Sequence, residues 1–316
     1  MDETSPLNAA YGGEGWTPRA RPLRDEMGEL WARCGQTVEW EPLRAVLLHR
    51  PGPELDHLPD PSTALMLDRP DPARVREEHR ELEARYREAG VEVHLVEPPE
   101  GVAVPPNLMF AADLFLMTPE GAILARPASA ARAGEERWVQ RRLAELGVPI
   151  LRAVGGDGAF EGADAMWLDP GTVLLGEGLR TNRSGADQVA GVLETLGVRV
   201  IRTRLPRGTM HLMGQLRIVD RDLACQWEGR LDPAAAAALE ELGFRVLPFP
   251  DLDEARRGFA HNFVTLGPRE ILMPSGCPRS REAYEAEGIV CRTAEVAETT
   301  KAAGGIGCLT GVVWRG

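Results

Sequence analysis

The feature that most constrains this chain is a unit that recurs five times along it: a charged amphipathic stretch, then a glycine, then a short β-branched run. The copies are LEARYREAGVEVHL from Leu82 with Val96 following, VQRRLAELGVPILRAV from Val139, VAGVLETLGVRVI from Val189, AALEELGFRVL from Ala237, and REAYEAEGIVC from Arg281. Their glycines are Gly90, Gly147, Gly197, Gly243 and Gly288. In each copy the helical period ends at a glycine that can take the left-handed C-cap conformation cheaply, and an extended segment leaves it. Further strands are expected between the copies, at Arg44 to Leu48, Gly121 to Leu124, Thr172 to Leu175, Leu216 to Val219 and Glu270 to Met273. A unit repeating about every 45 to 57 residues points to a radially repeated or stacked α/β architecture. The alternative is an ordinary doubly wound α/β sheet, whose helix, glycine and strand steps look the same locally.

Radial repeats bring distant residues to one mouth, so chemistry is sought once per repeat. Five segments place a polar group among apolar or small neighbours: Pro106 to Asp113, Phe160 to Asp164, Gly178 to Asn182, Met210 to Leu212, and the cluster Gly304-Gly305-Ile306-Gly307-Cys308. In the last, glycines let the backbone turn tightly and a ligand approach closely, and the apolar run Val312-Val313-Trp314 anchors the segment. This is how a chain presents a thiol at the mouth of a strand. A buried structural cysteine is the alternative.

Composition bounds the partners. A net charge of -12 over 316 residues disfavours nucleic acid and favours small cations. No apolar stretch is long enough for a bilayer, and the chain opens on Asp2 and Glu3 instead of a basic, then apolar, leader, so a cytoplasmic protein without a membrane partner is expected. Cys34, Cys225, Cys277, Cys291 and Cys308 lack Cys-x-x-Cys spacing and a nearby His pair, which argues against zinc and against a disulfide framework. One domain over 1–316 is expected, with 1–40 packed on it as an extension, and a homodimer is compatible with this.

In this order the motifs resemble the guanidino-group-modifying enzymes of the pentein superfamily, which includes arginine deiminase, dimethylarginine dimethylaminohydrolase and the amidinotransferases. The resemblance rests on the strand Val46-Leu47-Leu48-His49-Arg50-Pro51-Gly52-Pro53-Glu54-Leu55, on Pro106 to Asp113, Glu161-Gly162-Ala163-Asp164, His211-Leu212 and the Cys308 segment. It implies a five-bladed α/β propeller, five pseudo-repeats around a central axis, with no metal and no cofactor. It further implies that Cys308 attacks the guanidino carbon and His211 protonates the departing amine. Asp113 and Glu161 would accept hydrogen bonds from the guanidinium nitrogens, Glu161 joining Cys308 and His211 in the catalytic set. Arg132 and Arg180 would grip the substrate's carboxylate, with Asp164 also at the substrate or orienting His211.

Each residue also has a plainer reading. Asp113 and Glu161 could form a buried ion pair with an arginine, Arg132 could be a solvated surface residue, His211 a packing histidine and Asp164 a turn residue. Two carboxylates lining an empty site are expected to keep Cys308 protonated until a cation arrives. Where arginine deiminases and amidinotransferases carry an Asp two residues after the His, this chain has Met213, and it lacks room for the helical insertion of arginine deiminases. Both departures favour a dimethylarginine dimethylaminohydrolase-like hydrolase that takes a methylated arginine or related guanidino compound to a ureido product such as citrulline plus an amine. An amidinotransferase, an arginine deiminase and a catalytically silent pentein scaffold are the alternatives.

Overall fold

The computed structural model describes residues 6–58 and 60–316, so Asp2 and Glu3 lie outside the described residues. Each repeat folds as a three-stranded sheet with a helix crossing between its second and third strands. The chain runs through β1 (Leu43–Leu48), α1 (Pro72–Glu88) and β2 (Glu92–Leu95), then β3 (Phe115–Thr118), β4 (Gly121–Leu124), α2 (Glu136–Glu145) and β5 (Ile150–Ala153). The third unit is β6 (Ala165–Asp169), β7 (Thr172–Glu177), α3 (Arg183–Thr195) and β8 (Arg199–Arg204). The fourth is β9 (Leu216–Asp220), β10 (Leu223–Gln226), α4 (Pro233–Glu241) and β11 (Arg245–Pro248). After a short α5 (Leu252–Arg257) come β12 (Val264–Gly267), β13 (Glu270–Pro274), α6 (Pro278–Ala286) and β14 (Val290–Ala294), and the chain closes with α7 (Ile306–Leu309) and β15 (Gly311–Arg315).

The helices begin where the sequence can satisfy their free N–H groups. Asp71 accepts from Ala73 N and Arg74 N, Asn182 from Gly185 N and Asp232 from Ala234 N. Pro72, Pro233 and Pro278 stand in the first turn, where a missing N–H costs nothing. At the other end Gly90, Gly147, Gly197, Gly243 and Gly288 have φ of 76°, 79°, 78°, 77° and 77°, a conformation that a side chain would strain. All five glycines act as expected.

Five separate sheets, ordered β15-β1-β2, β3-β4-β5, β6-β7-β8, β9-β10-β11 and β12-β13-β14, exclude one doubly wound sheet and make the five-bladed propeller. In each, the middle strand pairs antiparallel to one neighbour and parallel to the other. The last strand completes the first sheet, Val46 opposite Val312, so the ring is closed by its own C-terminus. Of the expected strands, four are middle strands; Leu216 to Val219 is instead the outlying antiparallel strand β9, and the middle strand β10 carries Cys225 and was not singled out. Its short, mixed sequence LACQ hides it.

The antiparallel strands β15, β3, β6, β9 and β12 all start at the same end of the ring. Their heads touch in turn: Ile306–Leu309 lies on the 3-10 turn Ala111–Asp113, that on Gly162–Asp164, and that on Leu212–Gly214. Gly307 N donates to Asn262 O at 3.0 Å and joins the fifth head. Residues 32–35 lie along the rim, with Ala32 N bonded to Gly147 O and Gly35 N to Val313 O. No helix among the described residues is long and apolar enough to cross a membrane.

Candidate active site

The five heads contribute Asp113, Glu161 with Asp164, His211, Asn262 and Cys308, one set per blade and all buried. Cys308 sits in α7 directly before β15. The glycines around it are required by crowding and not by backbone curvature: none of Gly304, Gly305 and Gly307 has a positive φ. A Cβ on Gly304 would lie 2.2 Å from the Phe110 ring, and one on Gly307 would lie 3.0 Å from Asn262 Oδ1 and 3.3 Å from the Arg217 guanidinium. The thiol is held by Asn262, whose Nδ2 donates to Sγ at 3.1 Å while its Oδ1 accepts from Cys308 N at 3.1 Å. Burial, then the charge of Asp113, pushes the Cys308 thiol above its ordinary value; the Gly305 backbone N–H, Asn262 and the Arg217 charge offset part of this. The direction is the one expected, with burial the larger cause.

Opposite the thiol, His211 Nε2 bonds Glu161 Oε2 at 2.7 Å, and its Nδ1 lies 3.8 Å from Asp113 Oδ1. Burial would lower the His211 pKa, but the Asp113 charge and the Glu161 hydrogen bond outweigh it and raise the value to about 9. For Glu161, burial acts upward, yet the bond and charge of His211 with Arg132 and Arg180 bring it down to about 2. A charged pair at neutral pH follows.

Two expectations are corrected here, and for Asp164 one of the two readings is selected. Glu161 does not present free oxygens to a substrate: besides His211, Oε2 takes Arg132 at 3.3 Å, and Oε1 takes Ala128 N at 3.1 Å and Arg180 at 3.3 Å. Arg132 is neither solvated nor available to grip a carboxylate. It is 3% exposed, and its fork is engaged by Asp113 Oδ2 at 2.5 Å and by Glu135, Nε at 2.9 Å and Nη2 at 2.7 Å. The ion pair weighed as an alternative for Asp113 and Glu161 is therefore present. Asp164 does not face the cavity: Oδ2 accepts from Thr181 Oγ1 at 2.6 Å and Oδ1 from Leu212 N at 3.0 Å, so it fixes the backbone next to His211. Burial raises its pKa to about 6, with His211, Thr181 and Leu212 opposing.

What stays open on this side is specific. Asp113 Oδ1 and Asn107 Oδ1 are buried acceptors without a hydrogen-bond partner, and both residues line a cavity of about 20 Å³ with Phe110, Arg132, Arg180 and Cys308. Arg180 is engaged only through Nη1, which leaves Nε and Nη2 free of any bond to the described residues. Ligand atoms of Asp113, Glu161 and His211 lie within 4.8 Å of one another, a spacing a metal ion could use. The Arg132 guanidinium, 2.5 Å from Asp113 Oδ2 and 3.3 Å from Glu161 Oε2, already supplies positive charge to both carboxylates, so the cluster does not call for a metal ion.

Asn262 and Glu135 were missed. Asn262 could have been found by asking which polar residue precedes the first strand of the one repeat left without a candidate; His261-Asn262 stands there. Glu135 gives no such signal, because it is one acid in an Arg- and Glu-rich stretch.

The family described as N,N dimethylarginine dimethylhydrolase, eukaryotic, matches residues 71–234, just over half of the chain. The chain belongs to the dimethylarginine dimethylaminohydrolase family. Its place is thus among hydrolases of C–N bonds in linear amidines, within the guanidino-modifying penteins. The N(G),N(G)-dimethylarginine dimethylaminohydrolase of Pseudomonas aeruginosa is 26% identical over 254 residues, covering 80% of this chain and 94% of the relative. Among solved structures, the family member from Pseudomonas aeruginosa complexed with citrulline superposes with a TM-score of 0.71 at 22% identity, over 87% of this chain and 100% of that one. SxtG, an amidinotransferase from Microseira wollei, gives 0.72 at 16% identity over 89% and 97%. At these identities the two structures establish the fold.

Proposed function

We propose that this protein hydrolyses the bond between the guanidino carbon and a substituted nitrogen in a methylated arginine or related compound, through a covalent Cys308 intermediate. The observation that carries this reading is the convergence at one thiol of groups from five blades: Asn262 on Sγ, Asp113 with a free Oδ1, and the charged His211–Glu161 pair. The membership of the family supports it.

A guanidinium with its carbon at Sγ would give N–H bonds to Asp113 Oδ1 and Asn107 Oδ1 on the side of the smaller cavity, charge-assisted in the first case. Its charge would cancel the repulsion that Asp113 exerts on a thiolate, lowering the Cys308 pKa as the substrate binds. The thiol proton leaves to solvent as the substrate binds, and the thiolate Sγ then attacks the carbon, forming C–S. His211, protonated below about pH 9, gives its proton to the departing nitrogen as C–N breaks. The neutral imidazole takes a proton from water, C–O forms and C–S breaks, leaving a ureido product and a regenerated thiol. Glu161 holds the imidazolium throughout, and Asp164 with Thr181 holds the segment that carries it. Arg180, paired with Glu161 through Nη1, keeps Nε and Nη2 for the substrate's carboxylate.

A colorimetric ureido assay over arginine, mono- and dimethylarginine, agmatine and guanidino acids tests the reading. Product is expected with a methylated arginine, and Cys308→Ser should lower turnover by about four orders of magnitude or more. No ureido product from any compound, or unchanged turnover in Cys308→Ser, rejects the hydrolase. Product in which an added amine replaces water would instead identify an amidinotransferase.

A further inference from the structure

A second cavity of about 330 Å³, which Asp113 and Arg132 do not line, adjoins the first at Met210, Ala303 and Cys308. Its wall is Met213, Trp227, Phe259 and His261, and it shares His211, Asn262 and Cys308 with the catalytic groups described above. Dimethylamine has three heavy atoms and fills about 100 Å³, taking roughly 30 Å³ for each water-sized unit. The space is several times what a methylated nitrogen needs.

Its polar groups are also unmatched. Gln215 Oε1, Thr209 Oγ1 and His261 Nδ1 are buried along it without a hydrogen-bond partner. Burial, with the Arg217 charge, brings His261 down to about 4, so its ring stays neutral and keeps a lone pair. At the rim Arg230 and Arg256 stack on Trp227, their guanidinium carbons 5.2 and 5.5 Å from the ring centre, and neither pairs with a carboxylate among the described residues. Stacking fixes the guanidinium planes and leaves their N–H edges for a ligand.

Left-handed non-glycine residues border both cavities, with Leu65 at the smaller, Phe259 at the larger and Ala303 at both. Phe259 has a φ of 55° and Ala303, beside Cys308, a φ of 68°, conformations that side chains rarely adopt outside sites that use them. Buried acceptors near the thiol and paired cations at the rim describe the two ends of one ligand. The nitrogen end meets Gln215 Oε1, a short apolar linker meets Met213 and Trp227, and an acidic end meets the arginines.

We infer that the larger cavity holds the departing amine, and that this amine carries a carboxylate: the substrate is a guanidino compound whose leaving nitrogen bears a carboxyalkyl group. The inference rests on the hydrolase reading and names its substrate class. Electron and proton flow are unchanged: C–S forms, C–N breaks, His211 protonates the nitrogen, and an amino acid leaves in place of dimethylamine.

Two measurements on the full chain test it. In the ureido assay, an Nω-carboxyalkyl arginine is expected to exceed Nω,Nω-dimethylarginine in kcat/KM by tenfold or more. The double variant Arg230→Ala, Arg256→Ala should cut that ratio at least tenfold, and Arg230→Lys, Arg256→Lys should restore part of it. Calorimetric titration of Cys308→Ser with the same two compounds needs no turnover and should show the same preference. Equal or weaker binding of the carboxyalkyl compound overturns the inference whether or not product forms. Turnover of dimethylarginine alone overturns it and leaves the hydrolase standing, whereas ureido product from neither compound rejects the hydrolase.

Discussion

The two cavities that meet at Cys308 are built on the same ring of strand heads, yet they treat charge in opposite ways. On the Asp113 side, three carboxylates and three cationic side chains neutralise one another: Asp113, Glu135 and Glu161 against Arg132, with His211 and Arg180 on Glu161. Little room is left, about 20 Å³. On the Trp227 side Arg230 and Arg256 have no carboxylate partner among the described residues and about 330 Å³ is open, while buried polar atoms without a hydrogen bond occur on both sides. Charges brought into a low-dielectric interior must be compensated there or cost several kcal/mol each, so a folded chain keeps its own pairs where the site is closed. Groups left without partners at an open cavity are available to a ligand. The comparison shows that the side richest in ionisable residues has the least binding capacity remaining.

The largest test of this contrast is Arg132. If it neutralises three buried carboxylates, Arg132→Ala should cost about 3–5 kcal/mol in denaturant unfolding, because removing one partner strands the others. A loss below about 1 kcal/mol together with a raised KM would return Arg132 to the substrate-gripping role expected from the sequence.

The His211–Glu161 pair offers a pH test. With His211 raised to about 9, the proton it donates is present below that pH and lost above it, so kcat should fall as pH rises through about 9. In His211→Gln that alkaline limb should vanish along with about 100-fold or more of the rate. An alkaline limb that stays in place in the variant would show that another group supplies the proton.

The smallest expected effect lies at the boundary of the two cavities. Asn262→Ala removes the donor to Sγ, and a hydrogen bond to a charged group is worth about 1.5–3 kcal/mol, so alkylation of Cys308 by iodoacetamide near pH 8 should slow about tenfold. Its pH midpoint should move up. An unchanged midpoint would mean that Asn262 serves only the backbone through Cys308 N.

Legibility in the sequence differs between these parts for a physical reason. The five C-cap glycines could be read directly, since helix termination is a local event and leaves a local mark. Cys308, His211, Glu161 and Asp113 were legible as polar groups among apolar or small neighbours whose order resembles that of the family; the structure adds that each stands just before a strand. Strand β10 escaped because LACQ lacks a β-branched run, and Asn262 because a neutral amide beside His261 carries no charge or nucleophile to mark it. A buried ion pair of Asp113 and Glu161 with an arginine was legible as an alternative, but which arginine was not. That Arg132 would reach Asp113, nineteen positions away, and Glu161 in the next blade depends on how two heads pack.

By itself the sequence determined the number of units, the cap that ends each helix and the residue types carried to the mouth of the ring, because those follow from period, propensity and spacing along one chain. Only the tertiary structure decided which charges cancel and which remain. Pairing depends on distances of about 3 Å between blades and on the burial that makes such pairs necessary, and neither quantity exists until the ring has closed.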